Sequence, residues 1–204
     1  MERTDKHERI LDALQSLLEE KNMQDISVSE IAQKAGIGKG SIYYYYPSKN
    51  AIFDALIERN YEKPLQTAKN LEKQTDVSPF TRMAMIFQAC RTSALEVSRN
   101  NVSGQETGAQ EKAFLHQKYI THIVQELKPT LTSIISQGIE KGEIHFSNPQ
   151  ALAEISLIVL TVKLDNTIVP SSQEDIENTI KGLVELLEKG TENPPGSLNF
   201  LTAL

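Results

Sequence analysis

Residues 27–49 read SVSEIAQKAGIGKGSIYYYYPSK, with four consecutive tyrosines between a glycine-rich turn and a proline. Side chains at successive positions of an α-helix point about 100° apart, so one short helix that carries all four rings cannot bury every one of them. Tyrosine combines a large apolar ring with a hydroxyl that needs a hydrogen-bond partner. The run therefore predicts a helix with one face in the core and another face that meets a molecule outside the fold.

The residues around the tyrosines predict two short helices joined by a tight turn. Ser27 and Glu30 have the spacing of a capping box, which starts a helix over about residues 28–34. The two glycines of the following AGIG tetrapeptide favour a left-handed end to that helix. The next helix spans about residues 39–46 and ends at Pro47. Two short helices joined in this way form a helix-turn-helix.

Helical geometry divides the tyrosines between the core and the outside. Ile42 and Tyr46 lie four residues apart and share the inward face. Tyr43 and Tyr44 point outward, and Tyr45 lies between the two directions. The outward pair is therefore available to a partner, while Tyr46 belongs to the core.

The second helix of a helix-turn-helix lies in the DNA major groove, with its first residues near the base edges. Lys39 is therefore a candidate donor to guanine O6 or N7, or to a nearby phosphate. Gly40 allows the backbone to approach DNA closely, and Ser41 shares this open surface. The glycines also suggest a phosphate-binding loop, but the lysine precedes the last glycine and no strand leads into the turn, contrary to a P-loop.

The rest of the chain shows helical spacing of apolar residues and no alternating strand pattern. We predict helices over about residues 8–21, from residue 48 onwards with a possible bend at Pro64, and over about residues 80–99, 112–141, 148–166 and 172–190. Residues 101–108 have the composition of a loop, and the tail from residue 191 is expected to be irregular. The fold class is therefore all-α.

Composition narrows the class of protein. The chain of 204 residues is 39% hydrophobic and 24% charged, which is typical of a globular protein. Its net charge of −6 argues against coating nucleic acid through bulk positive charge, but residues 35–49 contain two lysines and no carboxylate. A single cysteine offers neither an intrachain disulfide nor a zinc quartet, and no apolar run approaches the roughly 20 residues of a membrane span. We expect a cytoplasmic protein with no metal, no cofactor and no membrane partner.

Residues 27–49 closely resemble the DNA-binding signature of TetR-like transcriptional regulators, the tetracycline-repressor-like helix-turn-helix proteins. The resemblance is detailed over roughly the first quarter of the chain, and the later helices match that family in number, order and length. It implies an all-helical homodimer of about nine helices. Residues 1–47 would form the DNA-binding head, and residues 48–204 the ligand-binding and dimerisation domain.

The resemblance also assigns roles to particular residues. Tyr44 and Tyr45 are implied to donate to phosphates, and Tyr43 to touch a base or a thymine methyl group. Two helix starts are implied to meet the DNA backbone, because helix N-termini favour anions; the residues there are Ser27, Ser29 and Lys49.

Three residues depart from the common pattern of the family. Gly38 replaces the usual serine or threonine, Tyr46 replaces the usual phenylalanine, and Asn50 replaces a frequent acidic residue. Gly38 matters most, because it removes a side-chain cap and a phosphate contact from the recognition helix. Lys39 and the backbone amides, including that of Gly38, would then position this helix on DNA.

Residues of the later helices are candidates for two further sites. Polar side chains that either line a ligand cavity or are simply solvated are Gln88, Cys90, Arg91, His116, Tyr119 and Asn166. His116 and His122 are six residues apart, so they do not form the i, i+4 pair of a helical metal site. The resemblance places a four-helix dimer contact on the last two helices, at Leu157, Leu160, Ile176, Ile180, Leu183, Val184 and Leu187. A monomer would have to cover this seam internally.

Together these features predict a ligand-responsive regulator, most simply a repressor that binds a palindromic double-stranded DNA operator as a homodimer. An unidentified small-molecule effector would release it by favouring a different arrangement of the subunits. No catalytic activity is expected, because no nucleophile, base and orienting group stand at recognisable spacing. The alternative is a helical small-molecule sensor or adaptor without operator binding, which the open surface at residues 39–41 disfavours.

Overall fold

The computed structural model describes residues 2–100, 109–165 and 169–203. These residues form eight α-helices and two short 3-10 helices, at Met23–Asp25 and Asn199–Ala203, and contain no strand. The α-helices are α1 (Glu2–Glu20), α2 (Val28–Ala35), α3 (Lys39–Tyr45), α4 (Lys49–Glu72), α5 (Pro79–Asn100), α6 (Ala109–Glu140), α7 (Pro149–Asp165) and α8 (Gln173–Gly190). The all-α prediction is confirmed, with eight α-helices in the described ranges where about nine were expected. The predicted loop at residues 101–108 lies outside the described residues.

Short polar side chains set the starts of several helices, as the sequence predicted. Ser48, Asn148 and Ser172 each accept a hydrogen bond of 3.0 to 3.1 Å from the backbone amide three residues further on. These bonds satisfy amides that have no partner within the first turn of a helix. Pro64 lies inside α4, and the helix continues through it to Glu72.

Contacts divide the chain into two compact units. The first contains Met1–Glu62 with Leu95–Lys112, and the second contains Lys63–Ala94 with Ala113–Leu204. This division falls within α4, so that helix contributes residues to both units. The predicted functional boundary between residues 47 and 48 stays a prediction.

The core of the first unit takes an aliphatic side chain from each of its first four helices. Ile10 and Leu14 of α1, Ile31 of α2, Ile42 of α3 and Ile52 of α4 are fully buried. In α1 and α3 these residues lie on the inward faces expected from helical spacing. Burial of these side chains holds the helix-turn-helix against α1 and α4.

The second unit covers the seam that the sequence assigned to the dimer interface. The dimer role of these residues stays a prediction. Within the single chain, six of the seven are only 0 to 6% exposed: Leu157, Leu160, Ile180, Leu183, Val184 and Leu187. Ile176 is half-buried. The α7 and α8 helices pack on each other, and the C-terminal tail packs on α8.

A buried carboxylate attaches this tail to α8. Glu188 accepts hydrogen bonds from the backbone amides of Gly196 and Leu198, at 2.9 and 2.8 Å. Leu198 and Leu201 of the tail are buried, as are the neighbouring side chains of α8. The tail therefore provides the internal cover that a monomer needs.

Candidate nucleic-acid interface

The turn between α2 and α3 depends on Gly36. This residue ends α2 in the left-handed conformation, with φ of 65°, and its amide donates to the carbonyls of Ala32 and Gln33. A Cβ atom at this position would also lie 2.9 Å from the guanidinium Nη2 of Arg9. Glycine is therefore favoured here both by its backbone conformation and by the space available.

Arg9 is a positioning residue that sequence reasoning missed. Its Nη2 donates to the carbonyl oxygen of Ala35 at 2.5 Å and to that of Gly36 at 3.3 Å. A cation at the carboxyl end of a helix stabilises carbonyls that have no partner within the helix. Arg9 thus joins α1 to the turn that sets the direction of α3.

The start of α3 is an open backbone surface. Gly38 is its N-cap, with φ of −69° and no side-chain cap. A Cβ atom at Gly38 would meet only the Ser41 hydroxyl, at 3.8 Å, and one at Gly40 would meet nothing within 4 Å. The chain's own packing therefore does not exclude a side chain at Gly38 or Gly40. Lys39 and Ser41 are exposed on the same surface.

The predicted division of the tyrosines is confirmed. Tyr46 is buried, and Tyr43 and Tyr44 are 50% and 68% exposed. Tyr45 is of intermediate burial. Two large rings thus lie on the outer face of α3, an arrangement that apolar burial alone does not favour. Their contact with DNA stays a prediction.

A histidine of α1 packs against the end of this tyrosine run. The Tyr46 hydroxyl and His7 Nδ1 are 2.5 Å apart, and the two ring centroids are separated by 4.5 Å. Burial raises the pKa of Tyr46 to about 12. The hydroxyl therefore keeps its proton and forms a hydrogen bond with His7 Nδ1. Sequence reasoning missed His7, although it continues the inward stripe of Ile10 and Leu14 at helical spacing.

Most cations of the first unit have partners within the chain. Lys39 is exposed and has no hydrogen bond or ion pair within residues 6–62. Side-chain cations bonded to carboxylates, carbonyls or amide oxygens are Arg9, Lys21, Lys34, Lys49 and Arg59. Lys6 also interacts with another group of the chain. Among these cations Lys39 is therefore the one available to a phosphate or a base.

Lys49 has an internal role that its sequence position did not reveal. Its ammonium donates to the carbonyl oxygens of Met23 and Ile26, at 2.8 and 2.9 Å, and lies 3.4 Å from that of Gln24. These carbonyls belong to the connection between α1 and α2. The three donors of an ammonium group are thereby used inside the fold. The predicted phosphate contact of Lys49 stays a prediction.

Two serines at the start of α2, the N-cap Ser27 and Ser29, were predicted to contact the DNA backbone. Ser27 and Ser29 are exposed. The Ser27 hydroxyl oxygen accepts from the Glu30 amide at 3.2 Å, and the Glu30 carboxylate accepts from the Ser27 amide at 2.8 Å, so the predicted capping box is confirmed. Because Ser27 uses an oxygen lone pair in this cap, its hydroxyl proton can still be donated to a phosphate.

The predicted ligand residues are not brought together by the described part of the chain. Cys90 is buried in the second unit, which raises the pKa of its thiol to about 12, whereas Gln88 and Arg91 are exposed on the same helix. The side chains of His116 and Tyr119 and all of Asn166 lie outside the described residues. A ligand site at these six positions stays a prediction.

The described residues offer neither a metal site nor a membrane-spanning helix. No group of three or more His, Cys, Asp or Glu side chains is arranged to hold a metal ion. None of the described helices combines the length and the apolar character needed to cross a lipid bilayer.

Two family profiles match the chain. Residues 10–56 match the family described as bacterial regulatory proteins, tetR family, and residues 94–186 match the tetracyclin repressor-like C-terminal domain. The first match contains the whole helix-turn-helix, and the second contains all of α6 and α7. Together they cover most of the sequence.

Known proteins match this chain over different lengths. The fatty acid metabolism regulator protein of Bacillus subtilis is 26% identical over 92% of this chain and 96% of its own length. The nucleoid occlusion factor SlmA of Haemophilus ducreyi is 32% identical over 48% of this chain and 46% of its own length. The regulator EthR of Mycobacterium tuberculosis is 36% identical over 35% of each chain. The matches to SlmA and EthR therefore span less than half of those proteins.

Solved structures show the same fold. A TetR transcription regulator from Haloarcula marismortui superposes with a TM-score of 0.60 and 16% identity, covering 92% of this chain and 98% of its own. A gamma-butyrolactone receptor described as ArpA-like gives a TM-score of 0.61 at 14% identity, covering 100% and 97%. The geometry of α2 and α3, the shared fold and both family profiles agree, and the chain belongs to the tetR family of bacterial regulatory proteins.

Proposed function

We propose that this protein is a ligand-responsive DNA-binding transcriptional regulator, most simply a repressor, that inserts α3 into the major groove of its operator. The observation that carries the proposal is the outer face of α3. That face presents the unpaired ammonium of Lys39, the two open glycine positions and the exposed rings of Tyr43 and Tyr44. The chain's own packing explains none of these features, whereas a DNA duplex lying against α3 explains all of them.

The residues of this face have separate roles in the proposed complex. Lys39 donates to guanine or to a phosphate, and the absence of side chains at Gly38 and Gly40 lets the backbone approach the duplex. Tyr44 and Tyr45 donate to phosphates, which fixes the register of the helix without reading sequence. Further contacts are made by Ser27, Ser29, Ser41 and Tyr43. Because few cations are available, the dependence of affinity on salt concentration should be shallow.

We propose that two copies pair through an apolar face on α7 and α8 other than the buried seam. Ile155 and Ile158 of α7 are 52% and 46% exposed, and Leu186 of α8 is 70% exposed. The outer stripe of α7 is apolar throughout, at Ala151, Ile155, Ile158, Val159 and Val162. Exposed apolar side chains of this kind suit an interaction surface, and a two-fold axis allows each copy to use the same surface. The dimer would carry two recognition helices about 34 Å apart, the distance between successive major grooves.

Regulation in this proposal comes from a small molecule bound by the second unit. An effector can shift the protein away from the operator-bound arrangement only by its difference in affinity for the two arrangements. Because α4 contributes to both units, it is the natural route for that shift. Fatty-acid derivatives are the first effectors to test, since the relative aligned over nearly its whole length is named a fatty acid metabolism regulator.

Two other functions compete with this one. The family consists of regulatory proteins, and enzymatic activity gains no support from the described residues. A sensor or adaptor that never binds an operator would not account for the exposed lysine and tyrosine rings on the outer face of α3. Selection of a DNA sequence from a random pool separates a DNA-binding regulator from the adaptor.

The decisive experiment compares point variants on the selected operator. Lys39→Ala should weaken specific binding by about 5- to 150-fold, which corresponds to about 1–3 kcal/mol for a direct base contact. Tyr44→Phe should weaken binding less than Lys39→Ala does. It should weaken binding to all DNA sequences by about the same factor, because phosphate contacts carry no sequence information. Lys181→Ala, at an exposed lysine of α8, is the matched control and should bind as the wild type does. The proposal is wrong if neither variant of α3 weakens binding.

A further inference from the structure

The carboxyl end of the recognition helix α3 is held by a buried polar group. Tyr46 is its C-cap, with extended backbone angles of φ −135° and ψ 121°, so the chain leaves the helix at this residue. Its ring is buried, and a phenol hydroxyl in such a position needs a hydrogen-bond partner. His7 Nδ1 supplies that partner at 2.5 Å.

Three charged side chains lie near Tyr46, but none of them is hydrogen-bonded to its hydroxyl among the described residues. Glu8, Glu58 and Arg59 act on the Tyr46 hydroxyl through their charges. Arg59 is bonded to Glu8, Asp12 and the Gln15 side chain, so its donors serve to attach α4 to α1. Among the described residues, His7 Nδ1 is therefore the hydrogen-bond partner of the Tyr46 hydroxyl.

The same imidazole also contacts the tyrosines that face outward. Its ring lies edge-to-face against Tyr45, with centroids 5.5 Å apart and an interplanar angle of 85°. Tyr45 in turn lies edge-to-face against Tyr44, at 5.1 Å and 88°. Both arrangements are the favoured geometry of aromatic pairs. A continuous line of ring contacts thus runs from α1 to the most exposed tyrosine of α3.

We propose that His7 is a positioning residue for DNA binding: by forming a hydrogen bond with the Tyr46 hydroxyl and packing against Tyr45, it holds the tyrosines of α3 in the orientation that meets the phosphates. This inference rests on the proposed operator binding by α3. His7 itself touches no DNA in this proposal and acts through the two tyrosines.

Three variants separate the hydrogen bond from the ring contact. Tyr46→Phe removes the hydroxyl and keeps the ring, and His7→Leu removes the imidazole partner and keeps apolar volume. Each should weaken operator affinity by about three- to tenfold, the range expected for one hydrogen bond between neutral groups. The double variant should lose little more than either single variant, because both remove the same bond. His7→Asn keeps a polar group that can bond to the Tyr46 hydroxyl. Its operator affinity should therefore stay closer to that of the wild type than the affinity of His7→Leu does.

Two controls distinguish positioning from general destabilisation. His145→Leu, at an exposed histidine of the second unit, should leave operator affinity unchanged. Urea unfolding of every variant measures stability separately. A purely structural role of His7 would lower the unfolding midpoint and leave the affinity of the folded protein at the wild-type value, which would overturn the proposal.

A measurement on the free protein tests the proposal without DNA. The chain contains six tyrosines, so fluorotyrosine labelling gives six fluorine signals that Tyr→Phe variants can assign. His7→Leu should shift the signals of Tyr44 and Tyr45 more than that of Tyr61. Unchanged Tyr44 and Tyr45 signals would refute the positioning role. If these signals move but the wild type selects no DNA, the positioning holds and the proposed operator binding fails.

Discussion

Gly36, Gly38 and Gly40 lie within five residues, yet only Gly36 is required by the fold of the chain itself. Its left-handed backbone strains any other residue, and a Cβ atom there would displace the Arg9 guanidinium from its hydrogen bonds. The positions of Gly38 and Gly40 have room for a Cβ atom and carry no positive φ. In a protein that inserts α3 into DNA, the missing side chains are explained by the approach of the duplex.

Gly40→Ala should therefore change stability and DNA affinity in opposite directions. Alanine favours a helix over glycine by about 0.5–1 kcal/mol, so the free energy of unfolding in urea should rise by an amount up to that range. Operator affinity should fall, because the added methyl group lies between the backbone and the duplex.

Gly190→Ala is the control for this pair of measurements. Gly190 also has open space around its Cβ position and lies at the end of α8. This variant should leave operator affinity at the wild-type value. Equal affinities of Gly40→Ala and wild type would show that DNA does not approach the backbone at this residue.

At the scale of single elements, two ion pairs join α2 to the carboxyl end of α1 and the residue that follows it. Lys21 is bonded to Glu30, and Lys34 is bonded to Glu20 at 2.7 Å. The bond from Lys21, with those from Ser27, lowers the pKa of Glu30 from 4.5 to about 2. Since the carboxylate favours the folded state, its contribution is complete above the unfolded pKa and is lost as pH falls through the folded one.

Glu30→Gln should thus lower stability at pH 7, and its deficit relative to wild type should shrink as pH falls from about 4.5 towards 2. The group is exposed, so solvent screens the pair and the effect should be small. Urea unfolding at pH 7 and at pH 3 measures it. Glu62→Gln, at an exposed glutamate of α4, serves as control. A deficit of equal size at both pH values would contradict the assigned role of the Glu30 carboxylate.

The end of α4 is tied down by a buried arginine of α5. Arg82 is fully buried, donates to the Gln137 side chain at 2.6 Å, and lies 3.3 and 3.5 Å from the carbonyl oxygens of Glu72 and Leu71. Gln137 donates to the Glu72 carbonyl as well, at 3.3 Å. Burial lowers the pKa of Arg82. The carbonyls at the end of α4 thereby receive donors from both α5 and α6.

Arg82→Ala should lower the free energy of unfolding by about 2–4 kcal/mol, because it creates a cavity and removes the hydrogen bonds of Arg82 to the Gln137 side chain and to the end of α4. Arg82→Met should cost less, since methionine refills much of the space taken by the aliphatic stem. Arg91→Ala, at an exposed arginine of the same helix, should stay within about 0.5 kcal/mol of wild type. A cost for Arg82→Ala no greater than that of Arg91→Ala would show that Arg82 does not hold the end of α4.

At the scale of the whole molecule, the central question is which apolar surface joins two copies. The seam of α8 is used within the chain, where α7 and the tail cover it. On the described parts of α7 and α8, the large apolar side chains that stay exposed are Ile155, Ile158 and Leu186. In the proposed dimer, operator binding by two heads would depend on pairing through this face.

Ile158→Glu and Leu186→Glu should each convert the dimer to a monomer, because a charge at the centre of an apolar interface loses its hydration without gaining a partner. We expect the dissociation constant measured by analytical ultracentrifugation to rise at least about a hundredfold, equivalent to about 2.7 kcal/mol. Met85→Glu replaces a comparably exposed apolar residue of α5 and should leave the dimer intact. Dimers that persist in both α7 and α8 variants would place the interface elsewhere.

The sequence by itself determined the features that depend on neighbours within one or two helical turns. Capping at Ser27, Ser48, Asn148 and Ser172, the turn at Gly36 and the division of the tyrosines all follow from local hydrogen bonds and helical spacing. Tertiary structure decided how distant residues pair: Lys49 with the connection between α1 and α2, Arg9 with the end of α2, and the tail with the seam of α8. The physical reason is that helical periodicity shows which face of a helix is apolar, but only the folded chain shows what covers that face.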